Sequence, residues 1–328
     1  MKIKKLISAL VLGSMLVGLS GCNITDFSAE NLLRPPKAVG DEAEIEQLIA
    51  KTADSGYTLK YPKNGKFRSA IIMTDLDGND SNEAVAFFRN SAETSSVHML
   101  VMYSKDNSWE IASDNIFETT DIDSVDFADL TGNGKAEIIV NSTTYTPNVG
   151  KLSCYSYSEG KTNEVGSGQS CSSFVTGDFD NDGTSEIMSL VLYTTENEAL
   201  ASMLDYNEDS KSLYAKAMAN MDPNVVKYKN IAVTKLDNDI TGIVVDGTSA
   251  NEVTNTQVIF YSRDLAILRN PLFKEKAKNI TRRSSQIICS DIDKDGKLEI
   301  PVTLDLPKQS GDSKNCLLYT SDAADEAR

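Results

Sequence analysis

The run Asp178-Phe179-Asp180-Asn181-Asp182-Gly183-Thr184-Ser185-Glu186 carries carboxylates at its first, third, fifth and ninth positions and a glycine at its sixth, and Asp291-Ile292-Asp293-Lys294-Asp295-Gly296-Lys297-Leu298-Glu299 repeats it. Alternating carboxylates converge on one hard cation only where the backbone turns sharply between them, and glycine at the sixth position permits that turn. Every donor is an oxygen, which suits calcium. The candidate ligands are Asp178, Asp180, Asp182 and Glu186 in one loop and Asp291, Asp293, Asp295 and Glu299 in the other. Looser copies offer Asp75, Asp77, Asn79 and Glu83, and Asp129, Asn133 and Glu137. A degenerate copy begins at Lys235 and has Ile243 at its ninth position, so Lys235 is expected to pair with Asp237, Asp239 or both in place of a cation.

The loops are parts of a larger repeat that must position them. Their first residues fall at 75, 129, 178, 235 and 291, giving intervals of 54, 49, 57 and 56 residues, a range typical of propellers and solenoids. Four residues before each start stands an apolar side chain: Ile71, Val125, Phe174, Ile231 and Ile287. A β-rich run follows each loop, which excludes the flanking helices of an EF-hand. Tyr103, Tyr157, Tyr206 and Tyr261 close a further apolar run at offsets of 28, 28, 28 and 26 from the loop starts. In the first repeat the strands are predicted to run into Thr74, from Glu83 to Phe88, from Val97 to Tyr103 and around Trp109 to Ala112. Four antiparallel strands in about 50 residues describe one blade, so the predicted fold is all-β, a β-propeller of four-stranded blades with at least five repeats. A β-solenoid, whose coils are usually shorter, is the other architecture weighed.

These loops and their strand rhythm resemble the FG-GAP/VCBS-type repeats found in the integrin α-chain head. The resemblance spans roughly residues 66 to 305, within a repeat region assigned to 66–315, and is most specific in the third and fifth repeats. The Phe-Gly and Gly-Ala-Pro sequences that name the family are absent. The family implies calcium in the hairpin between the first two strands of a blade, and domains that bind proteins or glycans, some of them attached to enzymes.

Lys2, Lys4 and Lys5 precede an apolar run from Leu6 to Leu19, too short to span a bilayer comfortably, followed by Leu19-Ser20-Gly21-Cys22. The last four residues resemble a bacterial lipobox. That resemblance implies a signal peptide over 1–21, diacylglyceryl modification of Cys22, and a protein held at the extracytoplasmic face of the cell membrane by its lipid alone. Residues 22–40, with Pro35-Pro36, read as a tether, and 41–65 as a short helix with a lead-in strand. Asp41 to Glu44 has the form of a capping box, and Ile45, Leu48 and Ile49 form an apolar stripe ending near Lys51.

Residues 316–328 resemble the translation of a transposase sequencing adapter, and the fifth repeat breaks off near Pro307, so the natural protein is expected to continue with other residues. The net charge is −16 and the five loops hold 16 of the 48 acidic residues, a balance that argues against nucleic acid and anionic membrane surfaces as partners. Cys154 and Cys289 align with core positions of other repeats, and a Cys154–Cys171 disulfide is compatible with an exported compartment. His98 and Trp109 read as packed strand and hairpin residues, and no nucleophile elbow, zinc motif or phosphate loop is present. The expected function is calcium-dependent binding of an extracellular protein or glycan. A polysaccharide lyase or glycoside hydrolase, and a scaffold for envelope assembly, are the alternatives.

Overall fold

The computed structural model describes residues 40–53, 56–194, 196, 198–237, 240–250, 254–269, 280–281, 294, 299–304 and 317–322. The chain divides into a unit ending at Glu46 and a unit running from Gln47. Helix α1, Asp41–Ala53, crosses that division and buries Ile45, Ile49 and Ala53 along one stripe. Its amino end differs from a capping box. The Gly40 carbonyl accepts the N–H groups of Ala43 and Glu44, while Asp41, Glu42 and Glu44 occupy the first turn, where they complement the helix dipole.

The second unit is all-β. Strands β1 (Tyr57–Leu59), β2 (Ile71–Thr74), β3 (Glu83–Asn90), β4 (Val97–Lys105) and β5 (Ser108–Phe117) form the first sheet, in which β1 and β2 both pair with β3. The second sheet comprises β6 (Ile122–Ala128), β7 (Glu137–Thr143), β8 (Gly150–Ser158) and β9 (Lys161–Cys171). The third comprises β10 (Ser173–Gly177), β11 (Glu186–Tyr193), β12 (Glu198–Asn207) and β13 (Ser212–Asn220). The fourth comprises β14 (Val225–Asp237), β15 (Ile240–Ser249), β16 (Thr254–Ser262) and β17 (Ile267–Arg269). All four are antiparallel, and the last three follow chain order, as the repeat spacing predicts. The outer strands run longer than expected: β5 continues to Phe117, beyond the predicted Ala112.

Burial explains why the middle strands are apolar on both faces. In β7, Ile138 and Val140 join a core with Val85, Phe87, Val101 and Phe117 of the first sheet, whereas Ile139 joins Leu152, Cys154, Ile187 and Leu204. Successive side chains on a strand point to opposite faces, so β7 serves two interfaces at once. The third and fourth sheets enclose a further core containing Phe179, Met188, Leu190, Met203, Ile243, Val245 and Ile259. First strands also lie beside first strands (β6, β10, β14), and last strands beside last strands (β5, β9, β13, β17). Consecutive sheets therefore pack face to face with the same edge always leading.

Beyond the fourth sheet, β18 (Ile280–Thr281), β19 (Glu299–Leu304) and β20 (Leu317–Asp322) form an antiparallel set. Strand β20 falls within the segment that resembles an adapter translation. Such pairing requires only a short β-compatible run beside an open strand edge.

Candidate metal centres

The loops that begin at Asp75, Asp129 and Asp178 are the hairpins β2–β3, β6–β7 and β10–β11, and their acidic residues build the turns. The first-position carboxylate collects backbone N–H groups from the loop it opens. Asp75 Oδ1 accepts from Gly78 at 2.7 Å and Asn79 at 3.2 Å, and its Oδ2 from Asp80 at 2.9 Å. Asp129 accepts from Asn133 and Gly134, and Asp178 from Asp182 and Gly183, at the corresponding places. At the fifth position, Asn79, Asn133 and Asp182 each accept the N–H of the seventh residue through Oδ1. The ninth-position glutamate reaches back, so that Glu83, Glu137 and Glu186 each take the N–H of the second residue at 2.8 Å through Oε2. That second residue, Leu76, Leu130 or Phe179, is buried and pins the loop to the core.

Two left-handed residues produce the sharp turn. The sixth position is left-handed at Asp80, Gly134 and Gly183, as expected from the glycine pattern. The fourth is left-handed as well, at Gly78, Gly132 and Asn181, and at Lys294 in the fifth loop. Glycine, asparagine and aspartate tolerate this region best, which accounts for most of these residue choices.

The turn brings ligand oxygens together in two of the loops. Ligand atoms of Asp178, Asp180, Asp182 and Glu186 all lie within 4.8 Å of one another, as do those of Asp75, Asp77 and Glu83. In each cluster one buried carboxylate oxygen has no protein partner: Glu186 Oε1 and Asp77 Oδ1. A buried charged oxygen left unpaired is costly, and a cation at the centre of the cluster would satisfy both.

In the second loop, Thr131 replaces the third-position acid and its hydroxyl donates to Glu137 Oε1 at 3.2 Å, so both glutamate oxygens have protein donors. Asp129, Asn133 and Glu137 thus share the hairpin geometry, but no carboxylate cluster forms there among the described residues. In the fourth repeat, Lys235 pairs in register with Thr241 and Asp237 with Ile240, so the strands stay paired to within two residues of each other where the first three repeats have a metal-type loop. Lys235 is exposed, and the Asp237 and Asp239 side chains lie outside the described residues. Asp291, Asp293 and Asp295 also lie outside them, as does the Glu299 side chain, although Glu299 opens β19 just as Glu83, Glu137 and Glu186 open their strands.

Electrostatics follow the crowding. Burial, opposed by the Phe179 N–H and reinforced by Asp180, Asp182 and Asp205, pushes the Glu186 carboxyl up to about 8. Burial raises Glu83 and Glu137 too. A carboxyl whose folded value lies above its unfolded one stabilises most below the unfolded value, and that contribution is lost as pH rises through the folded value. Protein stripped of divalent cations should therefore lose stability between about pH 4.5 and pH 8, and Glu186→Gln should flatten the slope. Urea midpoints at the two ends of that range check this; identical slopes for the parent and the variant would refute it.

Consecutive loops touch. The Ala136 N–H donates to the Leu76 carbonyl at 3.1 Å, and the Ser185 N–H to the Asp129 carbonyl at 2.9 Å. A Cβ on Gly132 would meet Thr184 Cγ2 at 2.7 Å, so close approach of the second and third loops also requires that glycine. The first three loops form one continuous acidic edge.

Two residues in the third sheet were invisible in the repeat pattern. Lys216, on β13, contacts Asp180 Oδ2 through Nζ and lies 2.8 Å from Asp205 Oδ2, and Tyr214 donates its hydroxyl to the same Asp205 oxygen. Neither Lys216 nor Asp205 belongs to the loop motif. Elsewhere, His98 is buried, stacks on Phe88 at 4.8 Å between ring centroids, and meets Asp114 through Nδ1 at 3.0 Å. Trp109 is buried. Cys154 and Cys171 are free, buried thiols, and both contribute to the core between the second and third sheets, so the disulfide does not form. A cavity of about 560 Å³ lies against the first strands β6, β10 and β14, with Asn64, Asp123, Asn141, Thr143, Lys227 and Lys229 in its wall. Compared with protein-family models and with curated proteins, the chain matches none.

Proposed function

We propose that this chain is an exported, lipid-anchored β-propeller of the FG-GAP/VCBS type whose acidic hairpins are held by calcium and which binds a protein or glycan partner. The observation that carries the reading is the rebuilding of one acidic hairpin at the same corner of successive sheets, with a buried, unpartnered carboxylate oxygen in each of the two loops that form clusters. The propeller is supported by sheets that pack face to face with first strands beside first strands, the arrangement blades adopt around an axis. Calcium is favoured over magnesium because these loops supply many chain oxygens, whereas magnesium keeps most of its water.

Partner binding is supported by the end of the first strands opposite the acidic loops, where Asp123 lies near the start of β6 and Thr143 ends β7. The cavity mixes amide, hydroxyl, carboxylate and ammonium groups, and Tyr145 on the neighbouring β7–β8 connection is 96% exposed. An exposed aromatic beside convergent polar groups suits a sugar ring or a peptide. The test is retention of cell-surface proteins and glycans on immobilised protein with calcium and with chelator. Calcium-dependent retention is expected, and equal retention in both would reject the reading.

The anchor has its own test. Lipidation requires the Cys22 thiol, so Cys22→Ser should move most of the protein out of the membrane fraction or leave its leader uncleaved. Unchanged fractionation and processing would reject it.

A further inference from the structure

The third loop clusters four carboxylates and the first three, yet among the described loops it alone has a resident ammonium. Lys216 occupies the β-bulge of its outer strand, since Met203 pairs with Ala217 and Leu204 with Ala215, leaving Lys216 out of register. At the corresponding bulge the residue left out of register in the second sheet, which also skips Gly168, is Val165, and in the first it is Ala112, both packed against apolar cores. Only the third sheet directs a charge from this bulge toward its loop. The partners are well buried: Asp180 is 5% exposed and Asp205 9%. The lysine stem crosses to the fourth sheet, with Nζ 5.8 Å from the centre of the Tyr261 ring.

The cluster also points to a further ligand. Glu186 is fully buried and its Oε1 has no partner even with Lys216 in place, so the ammonium does not complete the site. Lys216 neutralises one side, through Asp180, and leaves the other open. Asp205 offers the ammonium a second seat that is already in contact, and that seat is held by the Tyr206 N–H at 2.7 Å and the Tyr214 hydroxyl at 3.2 Å.

Resting on the calcium reading of this loop, we propose that Lys216 is a built-in competitor for the third site: a divalent ion takes Asp180 from the ammonium, which stays on Asp205. Two consequences separate this from the count of carboxylates. The third loop binds calcium more weakly than its four acids imply, and it remains closed when calcium is absent. The first loop, with three clustered acids and no lysine, is the one that opens on chelation.

The experiment is a calorimetric calcium titration of the lipid-free mature protein, with the third-site event identified as the one that Glu186→Gln removes. Lys216→Met should tighten that event about tenfold or more, because a neighbouring positive charge no longer opposes the ion. Loss of a merely structural contact would loosen the site instead, so the sign of the change is diagnostic. Lys216→Val with Asp205→Ser, which installs the residues found at these places in the second sheet, should tighten it as well and covers the case in which the single variant folds poorly. A third-site constant that is unchanged or weaker in both folded variants would overturn the role of Lys216 while leaving calcium binding intact. Absence of any calcium-binding event in the parent and in both variants would overturn the calcium reading itself.

Discussion

Adding calcium to the cation-free protein should raise its melting temperature by roughly 5–10 °C, and chelator should reverse the rise. The size follows from mass action. An ion that binds only the folded state contributes about 2.7 kcal/mol at a hundredfold excess over its dissociation constant, and each kcal/mol moves the midpoint of a chain of this order by about 2–4 °C. The sign follows from the loops. Without an ion, Asp178, Asp180, Asp182 and Glu186 crowd within 4.8 Å with Lys216 in contact and Arg263 farther off to offset them, and Asp75, Asp77 and Glu83 crowd with no salt bridge to a lysine among the described residues. Because the Ala136 and Ser185 N–H groups tie the second loop to its neighbours, ordering one loop should steady the next. Superimposable melting curves in calcium and in chelator would contradict this.

A second large effect is expected beneath the third loop. Phe179 is 1% exposed and packs in the core between the third and fourth sheets, while its backbone N–H holds Glu186 at 2.8 Å. Phe179→Ala should cost about 3–5 kcal/mol from lost burial and the cavity left behind. It should also weaken calcium binding, because the hairpin loses the side chain that pins its second residue. Phe179→Leu, matching the leucines at 76 and 130, should cost under about 1.5 kcal/mol and leave calcium binding close to the parent's. Urea unfolding with both variants checks this, and a loss below about 1 kcal/mol for Phe179→Ala would show that the ring is not the anchor described.

Much of the fold could be read from spacing alone, for physical reasons. A β-hairpin with a fixed metal-type turn sets the register of the strands on either side, so the offset from Asp75 to Tyr103 recurs from Asp129 to Tyr157 and from Asp178 to Tyr206. The double-sided apolar character of β7 and β11 reflects sheets stacked on both faces. What remained hidden depended on contacts between distant residues or on backbone angles. The left-handed fourth position goes unnoticed when it is filled by Gly78, Asn181 and Lys294 in turn. Lys216 on β13 joins Asp180 in the loop to Asp205 on β12, and no local pattern links the three. The fourth hairpin differs by its register, Lys235 pairing with Thr241, where the residue types suggested a degenerate copy of the loop with Lys235 paired to Asp237 or Asp239.

The central claim is that the clustered oxygens of the first and third loops hold calcium. Native mass spectrometry of the protein in calcium counts the ions directly. The parent should carry at least two, with one fewer in Asp75→Asn and one fewer in Glu186→Gln, and the double variant should lose both. A parent that carries no calcium, or variants that carry as many ions as the parent, would contradict the account.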